Sequence, residues 1–247
     1  MQAVFGKSST FKKIVDAIKD LTKETNINVS METGMTIQAM DSSHVTLVEL
    51  RMKECFETFQ CPRDELISLN LETLSKILKL CDNDAALELS TQGNKLFITS
   101  CRDSRRMQFQ QFLLDVDTSR FDVPDMTYPI SVCMPTADFT RLMRDMKEFG
   151  ESLVVQIQNT PSEIVTFKVE GDIGEGVVTF TPSETVKVHI GECIECTLAI
   201  KYLVLFSKAA PLCEEVVWEL GEQLPARLTF KISQNDILSF YLAPKCD

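Results

Sequence analysis

The sequence predicts an α+β fold built as two similar domains in tandem. Three observations carry that reading. Amphipathic helical patterns occur twice in each half, at an offset of 128–129 residues. Period-two alternation of apolar and polar residues fills most of the remaining chain. At 247 residues the chain is long for one small domain and suits two of about 120 residues.

The first helix is read over residues 9–24. Phe11, Ile14, Val15, Ile18 and Leu21 fall at i, i+3, i+4, i+7 and i+10, which is one helical face. Ser8, Ser9 or Thr10 can cap it. INVSM, MTIQA and VTLVEL alternate and read as strands. The second helix, over 72–80, rests on Leu71, Leu74 and Ile77, with Asn70 as its cap. LELS and LFITS then flank a QGN turn.

Residues 113–130 hold Pro124, Pro129 and several aspartates without periodicity, and read as a surface linker. The third helix, over 136–149, carries Phe139, Leu142, Met143, Met146 and Phe149, each 128 positions after its counterpart. Polar positions repeat too: Lys13 with Arg141, Lys19 with Lys147, Asp20 with Glu148. Thr136 is placed to cap it, just after Pro135. SLVVQIQ, VTFKV, VVTF and ECTLAI read as strands, with EGDIGEG as a hairpin turn. The fourth helix, over 199–209, repeats the second through Ile200, Leu203, Phe206 and Lys208, and Pro211 marks its stop. VVWEL and LTFKI follow as strands. The expected domains are residues 1–113 and 129–247, joined by a connector over 114–128.

Several function classes find no support. No run approaches 18 apolar residues, so no transmembrane helix is expected, and the start shows no secretory signal. The nine cysteines are odd in number and mostly widely spaced, which suits reduced, buried thiols. Cys193 and Cys196 form a CxxC, but no second pair completes a zinc site, and the motif runs into a strand rather than a helix. His44 and His189 are the only histidines, and no phosphate-cradling or hydrolase motif occurs. No catalytic residue, cofactor or metal is therefore expected; the rival reading is an enzyme using scattered carboxylates.

The net charge of −11 argues at first against a nucleic-acid partner. Sorted by element, it reads differently. The four helical segments hold eleven Lys/Arg against seven Asp/Glu, a sum of +4, which leaves −15 for the rest. Helices that concentrate cations in an acidic chain suit a surface presented to a polyanion.

Taken in order, FKKIVDAIKDL, QAMDSSHVTLVEL, LSKILK, FTRLMRDM, YLVLFSKAAPL and YLAPK resemble the proliferating cell nuclear antigen family, the eukaryotic DNA sliding clamps, over about residues 1–245. The resemblance implies a closed homotrimeric ring, with antiparallel sheets outside and helices lining the hole. It places Lys12, Lys13, Lys19, Lys76, Lys79, Arg141, Arg144, Lys201 and Lys208 at channel-facing, DNA-binding positions. Met40, His44, Val45, Leu47, Phe121, Val123, Pro124, Pro225, Tyr241, Ala243 and Pro244 match the pocket that accepts the PIP-box, a short segment with two aromatics. Phe121 replaces the family's smaller aliphatic residue. RRMQFQQFL and GVVTFTP match the two edge strands that pair between subunits, with Phe109, Val177 and Val178 at the contact.

Implied partners are the chain itself, double-stranded DNA without sequence preference, a replicative DNA polymerase, the clamp loader replication factor C, flap endonuclease and DNA ligase. The implied setting is the nucleus, with no membrane partner. A checkpoint-type clamp paralogue acting in a heterotrimer is the alternative. Two family features are not matched: QNTPSEIVTF lacks the modifiable lysine of that turn, and no acidic tail follows APKCD.

Overall fold

The computed structural model describes residues 1–115, 126–159 and 162–245. They form two compact units. The first comprises Met1–Ser42, Val48–Asp122 and Ile232–Leu238, and the second Ser43–Leu47, Val123–Lys231 and Ser239–Asp247.

The first half of the chain runs β1 (Gln2–Phe5), α1 (Ser8–Ile18), β2 (Glu24–Ser30), β3 (Gly34–Met40), β4 (Thr46–Met52), β5 (Thr58–Gln60), β6 (Glu65–Asn70), α2 (Leu71–Leu80), β7 (Ala86–Gln92), β8 (Lys95–Arg102) and β9 (Arg105–Phe112). The second half repeats that order: β10 (Ile130–Pro135), α3 (Thr136–Met146), β11 (Ser152–Gln158), β12 (Ile164–Gly171), β13 (Gly174–Phe180), β14 (Lys187–Ile190), β15 (Ile194–Ala199), α4 (Ile200–Phe206), β16 (Glu215–Leu220), β17 (Ala226–Lys231) and β18 (Ile237–Leu242).

Strand order repeats as well. The first half arranges β5-β1-β7-β8-β9 and β4-β3-β2-β6; the second arranges β14-β10-β16-β17-β18 and β13-β12-β11-β15. Neighbouring strands in these sheets pair antiparallel, as the meander pattern predicts. The α+β class is therefore observed, with two helices in each repeat.

The helices form where the apolar stripes lie. Phe11, Ile14, Val15 and Ile18 are buried on α1, and Phe139, Leu142, Met143 and Met146 on α3. Each such side chain contributes about 1.5–3 kcal/mol by leaving water. Both helices end one turn before the periodicity does. Leu21 remains buried, but in a turn where Leu21 and Thr22 donate to the Ile18 carbonyl. Phe149 likewise follows α3 and donates to Met146. The expected spans 9–24 and 136–149 are thus too long: the apolar spacing outlasts the helical backbone. The fourth helix gives way after Phe206 to a 3₁₀ turn, Ser207–Leu212, that contains Pro211.

Capping also departs from expectation at two of three sites. Asn70 accepts from the Thr73 amide, a regular side-chain cap. Ser8 and Thr136, 128 residues apart, cap nothing. Their amides donate to the Ala85 and Glu214 carbonyls, and their hydroxyls to the Asp82 and Cys213 carbonyls. In each repeat the loop after the second helix thus satisfies the start of the first.

The core of the second unit is aromatic. Trp218 lies 5.4 Å edge-on from Phe139 and 5.5 Å from Phe167, and Phe206 stacks on Phe240 at 4.5 Å. In the first unit Phe11 packs on Phe5 at 5.0 Å. The eight described cysteines are free thiols, but Cys101 and Cys193 are exposed rather than buried. Cys101 ends a ladder opposite Ala86, and Cys193 lies in the turn before β15. Burial pushes the Cys196 and Cys213 thiols up to about 11, which keeps them protonated and poorly nucleophilic.

Among the described residues, no helix is long and apolar enough to cross a membrane. None of the described His, Cys, Asp and Glu side chains form a group of three able to hold a metal.

Candidate functional site

The cations expected to meet DNA sit on the four helices, except Lys19 at the C-cap of α1 and Lys208 on the 3₁₀ turn. In the first unit Lys13, Lys76 and Lys79 are exposed. Lys12 is half-buried instead: its amine donates to the Cys81 carbonyl and, at 2.9 Å, to Asn83 Oδ1, which ties α1 to the loop after α2. Lys19 pairs with Asp16 and lies 3.3 Å from Ser75 Oγ on α2. Lys12 and Lys19 therefore join the two helices together, and offer less to a phosphate than their positions suggest.

Asp16 is the centre of that helix contact. Burial alone would raise its carboxyl, but hydrogen bonds from Lys19 and Ser75 and the charges of Lys19 and Lys79 outweigh it, leaving the group below its ordinary value. A carboxyl depressed in the folded state stabilises above its unfolded value, and that contribution fades as pH falls through the folded one. We expect Asp16→Asn to lower the urea midpoint at pH 7, with the gap from the parent narrowing at about pH 3. An equal gap at both pH values would contradict this.

In the second unit Arg141 lies 3.5 Å and Arg144 3.1 Å from the two Asp145 oxygens, so one carboxylate serves two guanidinium groups. All three side chains are at least half exposed, so the pairs are weak and exchangeable. Lys201 and Lys208 are exposed, and the Lys201 amine lies 4.8 Å from the Tyr202 ring centroid. With the observed boundaries, the helices and the 3₁₀ turn carry eight basic and four acidic residues. The sum remains +4 although Lys19, Lys23 and Lys147 now fall outside.

The residues expected to dock partners are only partly gathered. Ala243 donates to the Val45 carbonyl at 3.0 Å, and Lys245 to the Thr197 carbonyl at 2.8 Å. These bonds frame a cleft of about 860 Å³ in the second unit. Val45, Ala243 and Pro244 line it, joined by Ser43, Lys147, Gly150, Glu151, Ala199, Ile200, Lys201, Tyr202, Val204 and Lys245. The sequence reading missed that second group for docking because its members come from five separate stretches. Tyr202 in particular reads as an ordinary helical core residue.

The other docking candidates lie elsewhere. His44 is exposed in a turn with φ of 56°, a left-handed conformation more common for His than for most residues. Leu47 and Tyr241 are buried, and Pro225 is half-buried. Met40 closes β3 in the first unit. Phe121, Val123 and Pro124 lie outside the described residues.

Each unit also ends a sheet on an edge. β9 pairs with β8 and β13 with β12, and each stands last in its sheet. Phe109 is half-buried on β9, Val178 is half-buried on β13, and Val177 is 53% exposed beside it. Phe112 is 64% exposed, with the Lys95 amine 5.3 Å from its ring centroid. Among the described residues these two edges have no further strand beside them, and such edges with apolar side chains are templates for strand addition.

The chain matches two family models, "Proliferating cell nuclear antigen, N-terminal domain" over residues 1–121 and "Proliferating cell nuclear antigen, C-terminal domain" over residues 122–245. A protein named proliferating cell nuclear antigen from Caenorhabditis elegans is 35% identical over 259 residues, covering 100% of this chain and 97% of the relative. Its namesake from Chaetomium thermophilum is 32% identical over 257 residues, covering 99% and 98%. Repeat, edges and helix cations coincide with full-length similarity, and the chain belongs to the proliferating cell nuclear antigen family.

Proposed function

We propose that this chain is a DNA sliding clamp that acts as a homotrimeric ring. The observation that carries the reading is the segregation of charge: a chain of net −11 keeps +4 on its helices and 3₁₀ turn, with Lys13 recurring as Arg141 and Lys79 as Lys208. The exposed Lys13, Lys76, Lys79, Lys201 and Lys208 offer cations to the DNA backbone, with Arg141 and Arg144 exchanging between Asp145 and phosphate. Lys12 and Lys19 hold the helix pair that presents them. Contacts of this kind give affinity without sequence readout, so the ring slides. The acidic remainder disfavours DNA on other faces.

Closure comes from adding β9 of one copy to β13 of the next, with Phe109, Val177 and Val178 at the junction. A head-to-tail contact of this kind closes when its rotation allows. The cleft around Val45, Ala243 and Pro244 docks PIP-box proteins, and His44, Leu47, Pro225 and Tyr241 of the same unit, outside that lining, add to the docking face. These include a replicative polymerase, flap endonuclease, DNA ligase and replication factor C, which opens the ring. The setting is the nucleus, and the chain performs no catalysis itself.

Native mass spectrometry tests the assembly. The expected species is about 84 kDa, three times the 27.9 kDa chain. A lone 27.9 kDa species at micromolar concentration would contradict the homotrimer and favour the checkpoint-type heterotrimer.

A further inference from the structure

One cluster in the second unit is absorbed by neither the cation reading nor the cleft. Glu219 and Arg227 face each other across β16 and β17. Arg227 Nε and Nη2 each lie 2.5 Å from a Glu219 oxygen, a two-point pair in which both side chains are about three-quarters buried. The carboxylate fixes the guanidinium plane. The plane is then used twice more: Tyr128 lies with its ring centroid 4.7 Å from the guanidinium carbon, and Tyr241 hydrogen-bonds to the same group. The Tyr128 hydroxyl continues the chain by donating to the Pro225 carbonyl at 2.9 Å. Burial pushes that phenol up to about 12, so it stays a donor at all ordinary pH.

Arg227 thus touches one side chain from the segment that enters β10, one from β16 and one from β18. Two of the residues it organises, Tyr241 directly and Pro225 through Tyr128, are candidates for partner docking. We infer that Arg227 is a positioning residue for the docking face: its guanidinium locks Tyr128 and Tyr241 in the arrangement that a bound partner segment meets. A lysine could keep the charge opposite Glu219 but not the flat, two-point plane against the ring. The cost of a mobile Tyr128 would fall on the bound state, since its rotamers must be frozen again at each encounter. The inference rests on the docking reading above.

The test uses the full chain and a synthetic PIP-box peptide. The double variant Glu219→Leu with Arg227→Leu replaces a mostly buried ion pair by apolar side chains, an exchange that commonly preserves stability. Expected are a melting midpoint near the parent's, amide exchange at residues 126–130 at least tenfold faster, and peptide affinity at least fivefold weaker. Assembly mass should be unchanged. If the double variant melts far lower, Arg227→Lys decides by the same two readouts, because it keeps the charge while losing the stacked plane. Unchanged exchange in a folded variant overturns the anchor. Faster exchange with unchanged affinity overturns its role in docking. A parent chain that does not bind the peptide overturns the docking reading itself, and the inference with it.

Discussion

Alanine at Lys13, Lys76, Lys79 and Lys208 together is expected to leave the chain folded and assembled while cutting loader-dependent DNA synthesis at least tenfold near 0.15 M salt. All four side chains are exposed on helices or on the 3₁₀ turn. Their removal opens no cavity in either core. A ring of three would lose twelve positive charges from the surface that meets phosphate. Each lost contact lowers the salt slope of binding by about one counterion, so the affinity gap from the parent should widen at low salt and narrow at high salt. Lys12 and Lys19 are poor choices for this experiment, because they bind the loop after α2 and Asp16. Their loss would disturb the helix pair and confuse stability with DNA contact. Undiminished synthesis by the folded quadruple variant would remove the helix cations from the account.

Asp236→Ala should be the costliest polar change in the first unit, by about 3 kcal/mol. Asp236 is 1% exposed, and one carboxyl oxygen accepts from the Lys53 amide at 2.5 Å and the Glu54 amide at 2.8 Å. The surrounding turn is clasped to the same strand end, since Glu54 accepts from Ser233 Oγ at 2.8 Å and from the Asn235 side chain. Alanine leaves two amides without their acceptor at a part-buried turn. For a chain of this size the melting midpoint should fall by about 6–12 °C. Asp236→Asn keeps a carbonyl acceptor and should cost less than half as much. Burial and the Asp236 charge together push the Cys55 thiol up to about 12, so Asp236→Ala should also speed its alkylation at high pH. A midpoint within 2 °C of the parent would contradict the clasp.

Much of this architecture is legible without coordinates, because the apolar stripes of α1 and α3 share one register across 128 residues. SLVVQIQ forms β11 with its predicted limits. What escaped follows from identifiable physics. β18 buries Leu238 through Leu242 without a break, so it shows no period of two. β6 likewise buries Ile67, Ser68 and Leu69 in succession. β1 has four residues, too few to display a pattern, and β10 begins at Ile130, inside the proline-bearing stretch read as linker. At the site, helix charge was visible, but the commitments of Lys12 and Lys19 were not. Their partners Asn83 and Ser75 are 71 and 56 residues away and are chosen by packing. The Arg227 cluster was hidden for the same reason, since Tyr128 and Pro225 are 97 residues apart.

In the proposed assembly, retention on DNA is topological: a closed ring would hold DNA by surrounding it, rather than through any one tight contact. Retention on circular against linear DNA tests this most directly. After loading with replication factor C and ATP onto nicked circular DNA, the chain should co-elute with the circle through a high-salt gel-filtration column, and should be lost when one cut makes that DNA linear. Equal retention on both forms, or loss from the circle at the same salt, would contradict the account.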